Sequence, residues 1–459
     1  MDTMTPPKDA AELAARATAV LEGNDMGGWT RAAPNLYPHQ WSWDSAFIAI
    51  GIAHYDVGRA AEELRCLLGH QWATGKVPHI VFNPDAPPES YFPGPEHWAS
   101  AALDAPEAPS KPATTSGLCQ PPVHAIAAKR ILEVADGRGV ARAGALAFLR
   151  EVYPKLFAWH RYLATHRDPE ESGLVTIYHP WESGTDNSPR WSGPLDRVEV
   201  EEKLEYERRD LQHVADPSER PTQAVYDRFI WLVELITRSG CDDAVTYATS
   251  PFLVKDVLMS AILVRANEAL LEISELVGAP ESDRDVMRAW ISRGRRGLEG
   301  CWDPGLGLCL DYDLRAGAPI EARTVAGFAP LVAGAGPADQ WRERLRTFDS
   351  AQFAGHPGLR WPLPPSTSPA EPLFDPRRYW RGPVWPVINW LLWWSLKRSG
   401  EGARAARLRR DGLAQISDGT FGEYYEPFTG ESLGSRDQSW TAAVALDWLA
   451  HQEEVSEEP

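Results

Sequence analysis

The chain has 459 residues, of which 43% are apolar, and a formal net charge of -18 at pH 7. This apolar fraction is ample for a core, and the acidic balance argues against a nucleic-acid or anionic-membrane surface, since both call for basic patches. The five cysteines are scattered and lack a CxxC pair, which argues against a disulfide framework or a zinc site and favours reduced thiols in a cytoplasmic protein.

Helical periodicity runs along the chain from its first segment. No apolar signal-peptide core precedes that segment, and the longest apolar run, "GPVWPVINWLLWWSL", is too short to span a membrane. Apolar residues recur at three- and four-residue steps, which predicts amphipathic helices. In chain order the helical stretches are "DAAELAARATAVLEG", "DVGRAAEELRCLLGHQW", "LREVYPKLFAWHRYLATH", "VKDVLMSAILVRANEALLEISELVG" and "SDRDVMRAWISRGRRGLEGCW".

Between the helical stretches, Gly- or Pro-containing turns lead into short aromatic or extended pieces, such as "WATGKVPHIVF" and "SDGTFGEYYEPFTGESLG". These pieces recur without a strict repeat, so the chain is not a short-period solenoid. Helical hairpins with long functional loops on one end predict an all-α fold, an α/α toroid closed on itself. No Pro/Ser-rich linker divides the sequence, and we therefore predict one catalytic domain over residues 1–459.

Residues 192–221 differ from the rest of the chain because they are charged and poor in core residues. One interpretation is a solvated helix and loop on the surface. The other is a mobile lid over a functional site. The sequence by itself does not decide between the two.

The loop "HPWESGTDNSPRW" carries the first candidates for chemistry. Glu182 and Asp186 lie four residues apart around Gly184, and a tryptophan stands on either side. Gly and Pro break any helix here, so the segment should be a loop. It is either an exposed turn that its aromatic residues pin to the core, or a sugar site. In a sugar site, indole rings stack on pyranose rings and a carboxyl group delivers a proton.

A second loop offers further carboxyl groups. Hydrolysis of a glycosidic bond needs two of them on opposite faces of the sugar, one protonated and one ionised, and loops far apart in sequence can supply them. The loop "FGEYYEPFTGESLG" contains Glu423, Glu426 and Glu431. Each single acid is also explained as a surface charge, and the residues by themselves do not choose a pair.

Other chemistries find less support in the sequence. The chain has no Gly-rich phosphate loop, no GxSxG elbow and no HExxH motif. Its histidines are isolated, as is typical of structural residues rather than metal ligands: His39, His79, His124 and His179. Most of the 20 tryptophans should lie in the core, but four in Gly/Pro-flanked or polar segments are candidates for stacking on a sugar: Trp41, Trp43, Trp380 and Trp385.

A set of ordered motifs resembles a known family. The motifs are "NLYPHQWSWDSAFIAIG", "GKVPHIVF", "HPWESGTDNSPRW", "YWRGPVWPVINWLL", "EYYEPFTG" and "QSWTAAVALDWL". Together, over nearly the whole chain, they are similar to glycoside hydrolase family 63, in particular to its compact bacterial mannosylglycerate and glucosylglycerate hydrolases. The resemblance implies a six-hairpin α/α toroid, an inverting mechanism, and neither a metal nor an organic cofactor. It also implies that the extra N-terminal β-domain of larger relatives is missing here.

The resemblance implies roles for individual residues. Asp186, the acid after "WESG", becomes the general acid, and Glu423, which opens "EYYEP", becomes the general base. Glu182 and Glu426 then have supporting or structural roles. The subsite for the pyranose is expected to contain Tyr37, Trp41, Trp43, Asp44, Gln120, Trp181, Gly184, Tyr379, Trp380, Trp385 and Gln438. Asp44 has an alternative role as a cap of the following helix, but ring hydroxyls need charged acceptors, which favours sugar contact.

The resulting hypothesis is an α-glycosidase that acts on a small-molecule glycoside. It releases a hexose and D-glycerate from glucosylglycerate or mannosylglycerate. The sequence does not indicate which of the two hexoses is preferred. A close alternative is an α-glucosidase for neutral disaccharides or oligosaccharides. A sugar isomerase or epimerase on the same fold is the alternative from another class, but it should use pocket histidines where these loops carry carboxylates. Whether the chain forms a homo-oligomer is left open.

A substrate carboxylate needs a cation in this acidic protein. Arg220 precedes a proline at the edge of the charged segment, where its guanidinium can grip a carboxylate bidentately. Tyr91, in "PPESYFPG", adds a hydroxyl donor from another loop. We predict that Arg220, Tyr226 and Tyr91 form the subsite for glycerate, and that closure of residues 192–221 completes it.

Overall fold

The structure is a computed structural model that describes residues 9–34, 37–87, 90–100, 114–139, 141–211 and 216–451. Its helices are α1 (Ala10–Gly23), α2 (Ser42–Ala53), α3 (Val57–Gly69), α4 (Pro95–Trp98), α5 (His124–Gly137), α6 (Arg142–Thr165), α7 (Ser192–Asp196), α8 (Gln223–Arg238), α9 (Asp243–Thr249), α10 (Val257–Val277), α11 (Glu281–Gly300), α12 (Ala329–Ala333), α13 (Ala338–Phe348), α14 (Pro386–Arg398), α15 (Gly402–Gln415) and α16 (Ser439–Ala450).

An inner ring of helices forms the centre of the molecule. Helices α2, α5, α10, α12, α14 and α16 each pack against the next, and α16 packs back against α2 to close the ring. These helices are apolar on nearly every side, as buried helices are. Every residue of α2, "SWDSAFIAIGIA", is buried.

An outer helix packs against each helix of this ring. Helix α1 packs on α16, α3 on α2, α6 on α5 and α10, α11 on α10, α13 on α12, and α15 on α14. The outer helices bury a single stripe, as in α11, where Met287, Ile291 and Leu298 face inward. Outer and inner helices alternate along the sequence, which gives helical hairpins. The predicted all-α, six-hairpin α/α toroid is confirmed.

Short strands tie together the segments that lead into the inner helices. They are β1 (Gln40–Trp41), β2 (Ile80–Val81), β3 (Val175–Ile177), β4 (Val254–Asp256), β5 (Trp302–Asp303), β6 (Leu308–Cys309), β7 (Tyr312–Asp313), β8 (Ala318–Pro319), β9 (Tyr424–Tyr425) and β10 (Ser432–Leu433). All pairings are antiparallel: β1 with β2, β5 with β6, β9 with β10, and β3, β4, β7 and β8 in that order in one sheet. Strands β1 and β4 run directly into α2 and α10, so the paired strands hold the loops at the N-terminal end of the inner ring.

The charged segment 192–221 is tied to the rest of the chain at several points. Tyr206 stacks on Phe92 with ring centroids 5.2 Å apart, and Arg197 pairs with Asp313. Residues 212–215 lie outside the described residues, and the lid interpretation stays a prediction. In the part of the chain that the structure describes, no helix combines the length and the apolar character needed to cross a bilayer.

Candidate active site

A cavity opens where the inner helices begin. Residues from the starts of α2 and α16, and from the segments before α5 and α14, reach it. Its lining consists of Tyr37, Trp41, Trp43, Asp44, His79, Tyr91, Gln120, Trp181, Gly184, Asp186, Tyr379, Glu423, Gln438 and Trp440. Both predicted catalytic acids and most of the predicted sugar-binding residues therefore meet in one place.

The loop that carries Asp186 is shaped by a tight turn. After β3, His179 accepts a hydrogen bond from the backbone N–H of Trp181 at 3.0 Å and starts a short 3-10 turn. The turn ends at Gly184, whose φ of +68° is unfavourable for other residues. A Cβ at Gly184 would lie 2.7 Å from Cζ2 of Trp43, so a glycine allows the close approach of this loop to α2.

Glu182 holds the same loop from behind. Its buried carboxylate accepts two hydrogen bonds from Arg167, at 2.7 and 2.8 Å, and others from the backbone N–H groups of Tyr178 and Cys119. Burial opposes ionisation, but the Arg167 guanidinium and these hydrogen bonds outweigh it and lower the pKa of Glu182. Glu182 is thus engaged in structure, and it joins the Asp186 loop to Cys119, the neighbour of Gln120.

Asp186 faces the cavity with little support for a negative charge. Among the described residues, no other residue donates a hydrogen bond to its carboxyl group. Removal from water raises the pKa of Asp186 to about 7, with Arg220 opposing the shift and Glu423 adding to it. A proton is therefore available on Asp186 near neutral pH.

Glu423 lies in the opposite situation because donors surround it. The donors are the Tyr37 hydroxyl at 2.6 Å, the Ser435 backbone N–H at 3.1 Å, Nη2 of Arg220 at 3.3 Å and the Tyr379 hydroxyl at 3.4 Å. The loop returns past the carboxylate at Gly434, where φ is +68° and a Cβ would lie 2.5 Å from Oε2 of Glu423. This arrangement suits an ionised group, so the cavity contains one carboxyl with a proton to give and one set to accept a proton.

Asp44 is a third acid in the cavity. Burial and the nearby carboxyls of Glu423 and Asp186 raise the pKa of Asp44 well above its usual range. The N-cap position of α2 is Trp41, and no side-chain hydrogen bond caps this helix. Asp44 therefore lines the cavity rather than capping α2, and its surroundings disfavour the charged carboxylate that was expected there from the sequence. Among the described residues, no group of three or more His, Cys, Asp or Glu side chains is arranged to hold a metal ion.

Aromatic rings form much of the cavity wall. Trp41 packs edge-on against Tyr91, with centroids 5.5 Å apart, and Trp43 packs edge-on against Trp440 at 5.5 Å. The imidazole of His79 stacks on Trp181 at 6.2 Å, and burial lowers the pKa of His79 to about 3, so the ring is neutral. Sequence reasoning missed His79 and Trp440 as lining residues, although both lie in motifs that carry the family resemblance.

Four predicted site residues do not line the cavity. Trp380 and Trp385 stack on each other with centroids 3.7 Å apart, and Nε1 of Trp385 donates to the Tyr379 carbonyl oxygen at 3.2 Å. They therefore support Tyr379 from behind. Arg220 lies beside Glu423, with its guanidinium 4.5 Å from the Tyr379 ring centroid. Tyr226 packs under the Arg208 guanidinium, 4.2 Å from its ring centroid.

Comparisons with known proteins agree with this geometry. The model of the mannosylglycerate hydrolase MGH1-like glycoside hydrolase domain matches residues 37–441. A glucosylglycerate hydrolase from Mycolicibacterium hassiacum is 48% identical over 445 residues, 97% of this chain and 99% of the relative. A mannosylglycerate hydrolase from Thermus thermophilus is 44% identical over 94% of this chain and 99% of its own length. The crystal structure of the Thermus thermophilus family 63 mannosylglycerate hydrolase with Tris and D-glycerate superposes with a TM-score of 0.86 at 42% identity, covering 95% of this chain and 99% of the other.

Proposed function

Because the chain belongs to the mannosylglycerate hydrolase MGH1-like glycoside hydrolase family, we propose that it hydrolyses glucosylglycerate or mannosylglycerate to a hexose and D-glycerate. The observation that carries this proposal is that Asp186 and Glu423 both line one aromatic cavity. The substrate is supported by the two similar proteins described above, a glucosylglycerate hydrolase and a mannosylglycerate hydrolase, and by the D-glycerate bound to the Thermus protein.

The surroundings of the two carboxyl groups support a different role for each. Asp186 gives its proton to the glycosidic oxygen as the bond to C1 breaks, and glycerate leaves. Glu423 takes a proton from a water molecule that attacks C1 from the other face of the ring, so the anomeric configuration inverts. This mechanism needs room for the water, and inverting pairs of carboxyls are typically separated by about 6.5–9.5 Å.

We assign the glycerate carboxylate to Arg220, with Tyr226 and Tyr91 completing its subsite when residues 192–221 close. Tyr91 lines the cavity. Arg220 is 5% exposed, and among the described residues its Nε has no hydrogen-bond partner, which leaves a donor for an incoming carboxylate. Arg208 is a poorer choice because it is paired with Asp210 through two hydrogen bonds, at 2.6 and 3.0 Å.

A panel of glycosides with product detection tests the function. It includes glucosylglycerate, mannosylglycerate, trehalose and maltose. We expect turnover of glucosylglycerate, mannosylglycerate or both. Proton NMR at early times should show the β-anomer of the released hexose. Turnover of the neutral disaccharides alone would replace the proposal by a neutral α-glucosidase, and early α-anomer would contradict inversion.

A second measurement tests the carboxylate subsite. Arg220→Ala should lower kcat/KM for the glycerate glycoside and for its glycerol analogue, since Arg220 also contacts Glu423. The additional loss on the glycerate glycoside should be about 1.5–3 kcal/mol, the range for a charged hydrogen bond. Arg228→Ala is the matched control, because Arg228 pairs with Asp196 and not with a subsite residue. Equal losses of Arg220→Ala on both substrates would remove the carboxylate role.

We further propose that the enzyme works in the cytoplasm on this small-molecule substrate. All five cysteines are free thiols in the structure, at Cys66, Cys119, Cys241, Cys301 and Cys309. Free thiols persist in reducing compartments. A cell fractionation experiment that finds the activity outside the cytoplasm would contradict this location.

A further inference from the structure

The residues on both sides of Asp186 are hydrogen-bonded to other parts of the fold. Before it, Oγ1 of Thr185 accepts a hydrogen bond from Nη2 of Arg190 at 2.8 Å. After it, Oδ1 of Asn187 accepts one from the backbone N–H of Trp380 at 2.9 Å. The backbone that carries the acid is therefore held from two directions.

Arg190 connects this backbone to the inner ring. It is 2% exposed, and its Nη1 donates to both carboxylate oxygens of Asp311 at 2.9 Å. Asp311 in turn accepts a hydrogen bond from the backbone N–H of Val257, the first residue of α10, at 2.9 Å. The Arg190 guanidinium also lies over the ring of Trp191, whose Nε1 donates to the Thr185 carbonyl oxygen at 2.9 Å.

We propose that Arg190 is a positioning residue for the general acid, because it fixes Thr185 and thereby orients Asp186 from the start of α10. The inference rests on the proposed role of Asp186. A donor placed directly on the carboxylate would orient it too, but it would also stabilise the ionised form and make the acid a weaker proton donor at neutral pH. Attachment through Thr185 orients the group without that effect on its acidity.

Arginine suits this position because its planar fork serves several partners at once. Asp311, Thr185 and the Trp191 ring all contact the one guanidinium. Asp256, the N-cap of α10, lies 3.6 Å from Nη1 of the same guanidinium. Two buried acids thus hold Arg190 charged and in place while its other nitrogen reaches the acid loop.

The test compares Thr185→Val with Thr185→Ser on two substrates. Valine keeps the shape of the side chain but removes the hydroxyl that accepts from Arg190 and that also lies 2.8 Å from the Ser183 hydroxyl, whereas serine keeps the hydroxyl. Ser183→Ala is the control that keeps the Arg190 contact, and a loss in Ser183→Ala as large as that in Thr185→Val would assign the effect to Ser183 instead of Arg190. The substrates are an α-glycoside that the wild type hydrolyses and the α-fluoride of the same hexose, because fluoride leaves with little help from an acid. Asp186→Asn serves as the reference for complete loss of the acid.

We expect Thr185→Val to lower kcat on the glycoside by ~10–100-fold, as misplacement of a catalytic group does, with KM nearly unchanged. Its rate on the fluoride should stay close to that of the wild type, and Thr185→Ser should restore the rate on the glycoside. Equal losses of Thr185→Val on both substrates, or no loss on either, would overturn the positioning role. Equal losses of Asp186→Asn on both substrates would instead overturn the acid assignment in the proposed function.

Discussion

The two loops that carry the proposed catalytic carboxyls hold them in opposite ways. In the loop after β3, Asp186 is oriented through its neighbours and receives no hydrogen bond from another of the described residues. In the loop around β9, Glu423 accepts hydrogen bonds from two tyrosines, an arginine and a backbone N–H. Surroundings, rather than residue type, therefore distinguish the carboxyl that favours a proton from the one that is set to accept it.

Each loop also contains a second acid that builds the loop itself. Glu182 is bound by Arg167 and by two backbone N–H groups. In the other loop, Oε2 of Glu426 accepts hydrogen bonds from the Phe428 N–H at 2.9 Å and the Thr429 hydroxyl at 2.6 Å, which closes a turn. In both loops, therefore, one acid holds the loop and another faces the cavity. Glu431, the third acid of the second loop, pairs with Arg377.

The largest expected effect comes from removing either cavity-facing acid. Asp186→Asn and Glu423→Gln keep the size of the side chain and remove a proton donor or acceptor, so each should lower kcat on the glycoside by about 10²–10⁴-fold or more. Glu426→Gln is the matched control and should stay active, because Glu426 closes a turn. An inactive Glu426→Gln beside an active Glu423→Gln would show that the base lies on the other glutamate.

The pH dependence of the wild type should reveal which carboxyl carries the proton. Because Asp186 must be protonated and its pKa is raised to about 7, kcat/KM should fall as the pH rises through about 7. The fall should approach tenfold per pH unit, so that the loss two units above the midpoint is about 100-fold. A rate on the glycoside that stays level to pH 9 would contradict the assignment of Asp186 as the acid.

The same pKa shift predicts a difference in stability. The pKa of Asp186 is raised in the folded state, so its contribution to stability is fully present below its unfolded value of 3.8 and is lost as the pH rises toward 7. The free energy of unfolding of Asp186→Asn should therefore increase relative to that of the wild type between pH 4 and 7. Above pH 7 the variant should be the more stable protein by about 1–3 kcal/mol. Urea unfolding at pH 5 and pH 8 measures this, and a constant difference between the two would argue that Asp186 titrates normally.

Much of the fold and of the cavity could be predicted from the sequence. Helical period and ordered motifs predicted the toroid, since the inner helices are apolar on most of their surface and the outer helices have one apolar stripe. The motifs also brought both acids and most of the lining to one cavity. The sequence could not show that Trp380 and Trp385 stack behind Tyr379, because a buried tryptophan and a sugar-stacking tryptophan look alike in a Gly/Pro-rich segment.

Hydrogen-bond partners that come from distant segments of the chain could not be predicted from the sequence either. Nothing in the letters around Arg190 indicates that Asp311, 121 residues away, accepts its hydrogen bonds. The position of Arg220 beside Glu423, 203 residues further along, likewise depends on how the loops meet across the ring. Such contacts follow from the closed topology and are not encoded in any local pattern.

The smallest expected effect concerns the donors around the base. Tyr37 donates to Oε1 of Glu423 at 2.6 Å, whereas Tyr379 reaches the same oxygen at 3.4 Å. Tyr37→Phe should therefore lower kcat by the equivalent of about 0.5–1.5 kcal/mol, the net value of one hydrogen bond, and Tyr379→Phe by less. Neither change should move the upper pH limb, because that limb belongs to Asp186. If Tyr37→Phe shifted the upper limb and left the lower one in place, the two carboxyls would have exchanged roles, with Glu423 as the acid and Asp186 as the base.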